Sequence, residues 1–197
     1  MTLRIDEGEG TTPLDPDEGQ GLIPTHITTL EELNEWEQVN IVRGEHWAFS
    51  RLKGDMLSSA FVRELHRRMF DETWEWAGQY RTTDKNIGIH WREVSVAVHK
   101  LCEDVSYWLD MHVYEVDEAA ARFHYQLAHI HPFPNGNGRH ARLMTDTFLR
   151  SRGYSPFTWG GGDLRGSGTV RQDYIAALHS ADGHDFNPLF RFLGVQR

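Results

Sequence analysis

The stretch AARFHYQLAHIHPFPNGNGRHARLMTDTFLRSRG, residues 120–153, decides how this chain is read. Ala120, Phe123, Leu127 and Ile130 recur at three and four residues, the period of one face of a helix. Pro132 ends that helix, because proline supplies no backbone donor and disfavours helical geometry for the residue before it, His131. A second helix is predicted from near Gly138 through Leu143, Met144 and Phe148, stopping before Gly153, which suits a left-handed C-terminal cap. The order is helix, short glycine-rich loop, helix.

Such a loop can hold an anion. Gly136, Asn137 and Gly138 precede the second helix, where free backbone N–H groups and the positive end of the helix dipole attract phosphate oxygens. Arg139 and Arg142 lie three apart on its first turn, so both guanidinium groups can face one polyphosphate. His131 stands at the mouth of the loop and has the side chain best suited to taking a proton near neutral pH; it is the candidate general base. Phe133 alternates with it and is expected to point into the core, leaving His131 facing outward. Asn135 offers a carbonyl oxygen where a phosphate-bound magnesium would need a ligand, although a carboxylate would be the harder donor. A glycine turn before a helix is usually only a turn. The histidine and the two arginines in register are what raise this one above that reading. His124 and His129, five apart, do not share a helical face and make poor metal partners.

Working outward, Thr29 with Glu32 forms a capping box before Leu30, Leu33, Trp36 and Ile41, predicting a helix to about Ser50. Ser58 caps another, with Phe61, Val62, Leu65 and Met69 behind it. Val94, Val98, Leu101, Val105, Trp108 and His112 mark an amphipathic helix over 94–112. Between these, WEWAGQYRTTDKNIGIHW at 74–91 loses the helical period and gains Gly, Thr and aromatic residues, the signature of a short hairpin. Gly160, Gly161, Gly162, Gly166 and Gly168 mark a loop, followed by a helix around Tyr174 to His179 and a last one after Asn187 and Pro188. The fold class is all-α with one β-hairpin, and no internal repeat is present. Residues 6–19, rich in Asp, Glu, Gly and Pro, read as an acidic arm that orders on contact, so the chain divides into an arm at 1–21 and a domain at 22–197.

Composition narrows the function. The 197 residues are 39% apolar, enough for one core. The 29 acidic against 20 basic residues give a net charge of -9, the wrong sign for wrapping nucleic acid, so no direct nucleic-acid binding is expected. Cys102 is the single cysteine, and neither a leader nor a long apolar run appears, which predicts a cytoplasmic protein with no membrane association. Against that acidic background, Arg122, Arg139, Arg142, Arg150 and Arg152 face only Glu118 and Asp146 between residues 118 and 152, a local excess of positive charge that favours an anionic ligand.

His131, Pro132, Phe133, Gly136, Asn137, Gly138, Arg139 and Arg142 together resemble the signature of the Fic (Fic/Doc) family, with Asn135 standing where that signature carries an acid. WAGQYR at 76–81 resembles the family's lead-in to its target-binding flap. TPLDPDEGQGL at 12–22 and HPFPNGNGRHARL are similar to the branch called mobile mystery protein B. The resemblance implies a single Fic-like helical domain with a short β-hairpin flap, and protein adenylyltransferase activity: AMP passes from ATP to a Ser, Thr or Tyr hydroxyl of a target protein. His131 would deprotonate that hydroxyl, Asn135 would help hold Mg2+, Gly136, Asn137 and Gly138 would cradle phosphate, and Arg139 and Arg142 would bind the β- and γ-phosphates. Asn86, Ile87, Gly88 and Ile89 would form the flap tip that aligns target backbone by strand addition. The branch implies a helix-turn-helix partner from a paired gene. Transfer of another phosphate-linked group, such as UMP or phosphate, and a non-catalytic nucleotide- or partner-binding module are the alternatives. Many Fic proteins share a helix whose Ser or Thr lies four residues before an inhibitory Glu followed by Gly or Asn. Here Thr28 and Glu32 are followed by Leu33, so no glutamate is assigned to Arg142 and no self-inhibition through that pair is expected.

Overall fold

Thr29 starts the first long helix as its capping box requires: its hydroxyl accepts from the Glu32 amide, and Glu32 accepts from the amides of Thr28 and Thr29. In the computed structural model, which describes residues 14–162, 164 and 168–195, eight α-helices follow the chain. They are α1 (Pro16–Gln20), α2 (Leu30–Phe49), α3 (Ser59–Phe70), α4 (Val94–Asp110), α5 (Val116–Ile130), α6 (Asn137–Ser151), α7 (Thr169–Asp182) and α8 (Asn187–Leu193). Short 3-10 turns lie at Trp91–Glu93 and Trp159–Gly161.

The apolar stripes read from the sequence converge on one core. Val62, Leu65 and Met69 of α3, Val98 and Val105 of α4, Phe123 and Leu127 of α5, and Met144 and Phe148 of α6 are buried together. Each such side chain contributes about 1.5–3 kcal/mol by leaving water. Gly44 lets α2 lie close on α3, since a Cβ there would stand 2.8 Å from Met69 Cγ. A smaller cluster, Ala121 with Ala177, Leu189, Phe190 and Leu193, docks α7 and α8 on the back of α5. The site sits where α5 hands over to α6, with α2 and α3 behind it.

The predicted β-hairpin is not present. Among the described residues the only strand-like pairing is an isolated antiparallel bridge between Leu22 and Trp74. Residues 80–90 form bends instead, because the Arg81 guanidinium takes the carbonyls of Thr83 and Ile89, which a hairpin would have used across its ladder. At the N-terminus, residues 1–13, with Asp6, Glu7 and Glu9, lie outside the described residues, as does Gly166. The rest of the acidic stretch forms α1. There Lys85, its side chain 1% exposed, pairs with Asp15 at 2.8 Å and Glu18 at 2.5 Å, while Thr83 donates to Asp15 at 2.6 Å. No helix among the described residues is long and apolar enough to cross a membrane.

Candidate active site

Pro132 keeps His131 from continuing α5. Barred from helical geometry, His131 ends α5 in the left-handed region at φ 54° and ψ 62°. Its carbonyl accepts from Nε of Arg81 at 2.7 Å, and Arg81 also donates its own amide to Pro132. The ring is 7% exposed, whereas the sequence predicts it facing outward; the 80–90 segment folds over it, with Gly88 so close that a Cβ would meet His131 Cβ at 2.6 Å. Burial, with the positive charges of Arg81 and Lys85, lowers its pKa to about 4. A hydrogen bond to the Ala128 carbonyl opposes that shift and occupies one ring N–H, which leaves the other nitrogen as an acceptor at neutral pH.

The loop behind it is rigid. Phe133 is fully buried and stacks on His66 with ring centroids 3.7 Å apart. Asn137 clamps the loop by accepting from the Phe133 amide and donating to the Phe133 carbonyl, both at 2.8 Å, so its side chain is committed and only its backbone faces a ligand. His66 receives the Gly78 amide on Nδ1 at 3.0 Å; its Nε2 therefore carries the hydrogen and donates to the Asn135 carbonyl at 3.1 Å. Gly136 caps α6 at φ 76°, where a Cβ would strike the Phe70 ring at 2.6 Å; both facts require glycine. The first-turn amides of α6 then point out of the helix with no acceptor inside it.

Arg139 and Arg142 flank this turn in different settings. Arg142 reaches back so that its Nη1 would lie 3.6 Å from a Cβ on Gly138, and its guanidinium faces the Tyr174 ring and hydroxyl. Burial lowers its pKa, Tyr174 opposes the shift, and Arg139 and Arg171 add to it, so three guanidinium groups crowd one region. Arg139 lies over Phe70 and donates to Glu37 Oε2 at 2.5 Å. Glu37, 3% exposed, also accepts from the Trp74 indole at 2.7 Å. Tyr174 in turn meets His124 Nε2 at 2.8 Å, which makes His124 a core histidine.

Asn86, Ile87 and Gly88 are exposed, Ile89 is half-buried, and Gly88 lies against His131. Asn135 provides an amide, not a carboxylate, and its Oδ1 accepts from the Gly136 amide at 2.6 Å. Among the described residues no group of three potential metal ligands is found. Asn135 itself brings no carboxylate to this position, and no chemical step is assigned to magnesium. Two surface cavities of about 480 and 550 Å³ open elsewhere, beside Leu57 and Ser106, and neither is lined by His131, Arg139 or Arg142.

Sequence reading missed Glu37, His66, Arg81 and Lys85. Glu37 had a signal: it falls on the buried face of α2, in the series Leu33, Glu37, Asn40, Gly44, Ala48, where a carboxylate needs a partner. His66 lies on the buried face of α3 in the same way. Arg81 closes the WAGQYR stretch, which marked its place but not its bonds, and Lys85, in an irregular segment, gave no signal.

With this geometry in hand, comparison with known proteins is specific. The sequence profile described as "Fic/DOC family" matches residues 56–149. A protein adenylyltransferase Fic from Nematostella vectensis is 31% identical over 145 residues, 72% of this chain and 32% of that protein. Protein adenylyltransferase fic-1 from Caenorhabditis elegans is 32% identical over 143 residues, 71% of this chain and 27% of its own length. The chain thus spans about a third or less of these relatives. Among solved structures, the N-terminal Fic domain of a Bartonella quintana cell filamentation protein superposes with a TM-score of 0.70 at 20% identity, covering 86% of this chain and 84% of that one.

Proposed function

The chain carries a Fic/DOC family domain at residues 56–149, and from that premise we propose that it is a protein adenylyltransferase, moving AMP from ATP to a hydroxyl of a target protein. The observation that supports this most is the convergence of three features on one loop: the outward amides at the start of α6, Arg142 and Arg139 beside them, and the neutral imidazole of His131 at the mouth. The naming of the relatives as adenylyltransferases points the same way.

In this reading the amides of Asn137 and Gly138 cradle phosphate, joined by that of Gly136 when Asn135 Oδ1 releases it, while Arg139 and Arg142 hold the β- and γ-phosphates. The target hydroxyl approaches under the flap, aligned by the backbone of Asn86, Ile87, Gly88 and Ile89. His131 takes the hydroxyl proton as the oxygen attacks the α-phosphorus; the bond from that phosphorus to the bridging oxygen breaks, and pyrophosphate leaves. The product is an AMP ester on a Ser, Thr or Tyr. Asn135 would be the residue beside a phosphate-bound magnesium, whose chemistry would be to neutralise charge on the phosphates.

The finer assignments follow from resemblance. TPLDPDEGQGL at 12–22 and HPFPNGNGRHARL with its Asn135 support the mobile mystery protein B branch, hence a helix-turn-helix partner encoded beside it, and a cytoplasmic site of action, where ATP is abundant. Incubation with α-labelled ATP tests the central reading: label transferred to protein supports it. The amide at Asn135 favours a second reading, a nucleotide-binding module without turnover, which tight ATP binding with no label transferred would establish.

A further inference from the structure

One arginine in this chain is placed where phosphate cannot reach it. Arg81 is 2% exposed, and its donors go to backbone. Nε donates to the His131 carbonyl at 2.7 Å and Nη2 to Ile130 at 3.4 Å; on the other side, Nη1 donates to Thr83 at 2.9 Å and Nη2 also to Ile89. Its own amide reaches Pro132 at 3.0 Å. Asp84, more than half exposed, is its ion partner at 3.7 Å.

These acceptors fall into two groups. Ile130, His131 and Pro132 close α5, where a helix leaves carbonyls without amide partners. Thr83 and Ile89 are the two sides of the flap. A guanidinium is planar and holds its donors in a fixed fork, so the carbonyls on one edge determine where those on the other must lie. His131 needs such support, because a residue other than glycine rarely keeps a left-handed backbone unless its surroundings hold it there. Gly88, at φ 99°, completes the contact: a Cβ would meet His131 Cβ at 2.6 Å, Arg81 Nη2 at 3.0 Å and the Ile130 carbonyl at 3.1 Å.

We propose that Arg81 is a positioning residue that locks the flap and the left-handed backbone of His131 into one unit, so that a single side chain sets both the orientation of the base and the alignment of the target. The proposal rests on the reading of His131 as the base and of 82–89 as the flap. A purely structural cap on α5 would tie Arg81 to the helix end alone and leave the flap independent of it.

The experiment compares the full chain with Arg81→Lys, which keeps the charge but cannot fork, and with Gly88→Ala, which retains the guanidinium and pushes on His131 and on Nη2 of Arg81. Hydrogen exchange over residues 82–90 and carbethoxylation of His131, resolved by peptide mass spectrometry, are measured beside ATP affinity and AMP transfer. In Arg81→Lys the flap amides exchange faster and His131 reacts about tenfold faster, both signs of local opening. The kcat for transfer falls about tenfold or more while ATP affinity stays within about twofold, because orientation and not phosphate grip is lost. Gly88→Ala moves the same readouts in the same direction. A folded Arg81→Lys with unchanged flap exchange and unchanged His131 reactivity overturns the proposal, as does a loss of transfer fully matched by a loss of ATP affinity. Should Arg81→Lys fail to fold, Gly88→Ala decides: His131 reactivity unmoved by the added methyl overturns it. Absence of transfer by the unsubstituted chain would remove the adenylyltransferase reading, while exchange and carbethoxylation still decide the coupling.

Discussion

Glu37 and Arg139 form a pair across 102 positions of sequence, with Oε2 of the glutamate accepting from Nη1 of the arginine at 2.5 Å. The sequence assigned no glutamate to Arg142, and the structure brings one to its neighbour a turn earlier. Because Glu37 is buried and its other oxygen holds the Trp74 indole, the carboxylate is fixed in place, and in the proposed function it would compete with phosphate for Arg139. Glu37→Gln keeps the indole hydrogen bond and removes the charge. It is expected to tighten ATP binding about three- to tenfold, read by calorimetry. Weaker binding would show that the carboxylate orients Arg139 for phosphate.

His131→Asn isolates the proton-transfer role, since asparagine tolerates the left-handed backbone that alanine would strain. ATP should bind within about twofold of the unsubstituted affinity, and transfer should fall by about 10²-fold or more. Transfer that survives in this variant would remove His131 from the mechanism.

Asn135→Asp places a carboxylate where the amide now accepts from Gly136. If the nucleotide arrives with magnesium, the variant should bind Mg2+–ATP more tightly and keep or raise transfer. A folded variant that loses both would mean that the loop depends on the neutral side chain.

Acid stability follows from the buried histidines. His131 and His140 are held at about 4, His124 at about 3 and His66 well below its ordinary value, chiefly by burial. Each stays neutral in the fold but takes a proton once unfolded below about 6.5, so the stability they confer is complete above that pH and drains away as pH falls toward 4. Asp146 runs the other way: burial raises it to about 6, and it holds a proton in the fold between 3.8 and 6 that the unfolded chain has released. Four groups against one leave a net uptake of roughly three protons on unfolding near pH 5. The urea midpoint should therefore drop steeply between pH 6.5 and 4.5. A flat profile there would mean that these rings are already charged in the fold.

What could be read beforehand divides by range. Helices α5 and α6 and the loop between them were legible because Pro132, Gly136 and the apolar spacing act on their immediate neighbours. Phe133 in the core followed from the same local alternation. The flap was misread as a hairpin because its partner is not a strand but the Arg81 side chain, whose bond to His131 spans 50 positions. The closure over His131 was missed for the same reason. Glu37 shows a middle case: its place on the apolar face of α2 was visible, but nothing local pointed to an arginine on α6.

The pairing of Lys85 with Asp15 and Glu18 bears on how this protein can be dissected. A fragment cut at residue 21, where the composition changes, would lose both counter-ions of Lys85 together with the helix that carries one of them, and would leave the ammonium group to water alone. Residues 15–20 are therefore joined to the segment above His131 by ion pairs and a hydrogen bond. A piece of this chain that keeps these contacts begins at or before Asp15, not at residue 56 where the family profile starts to match.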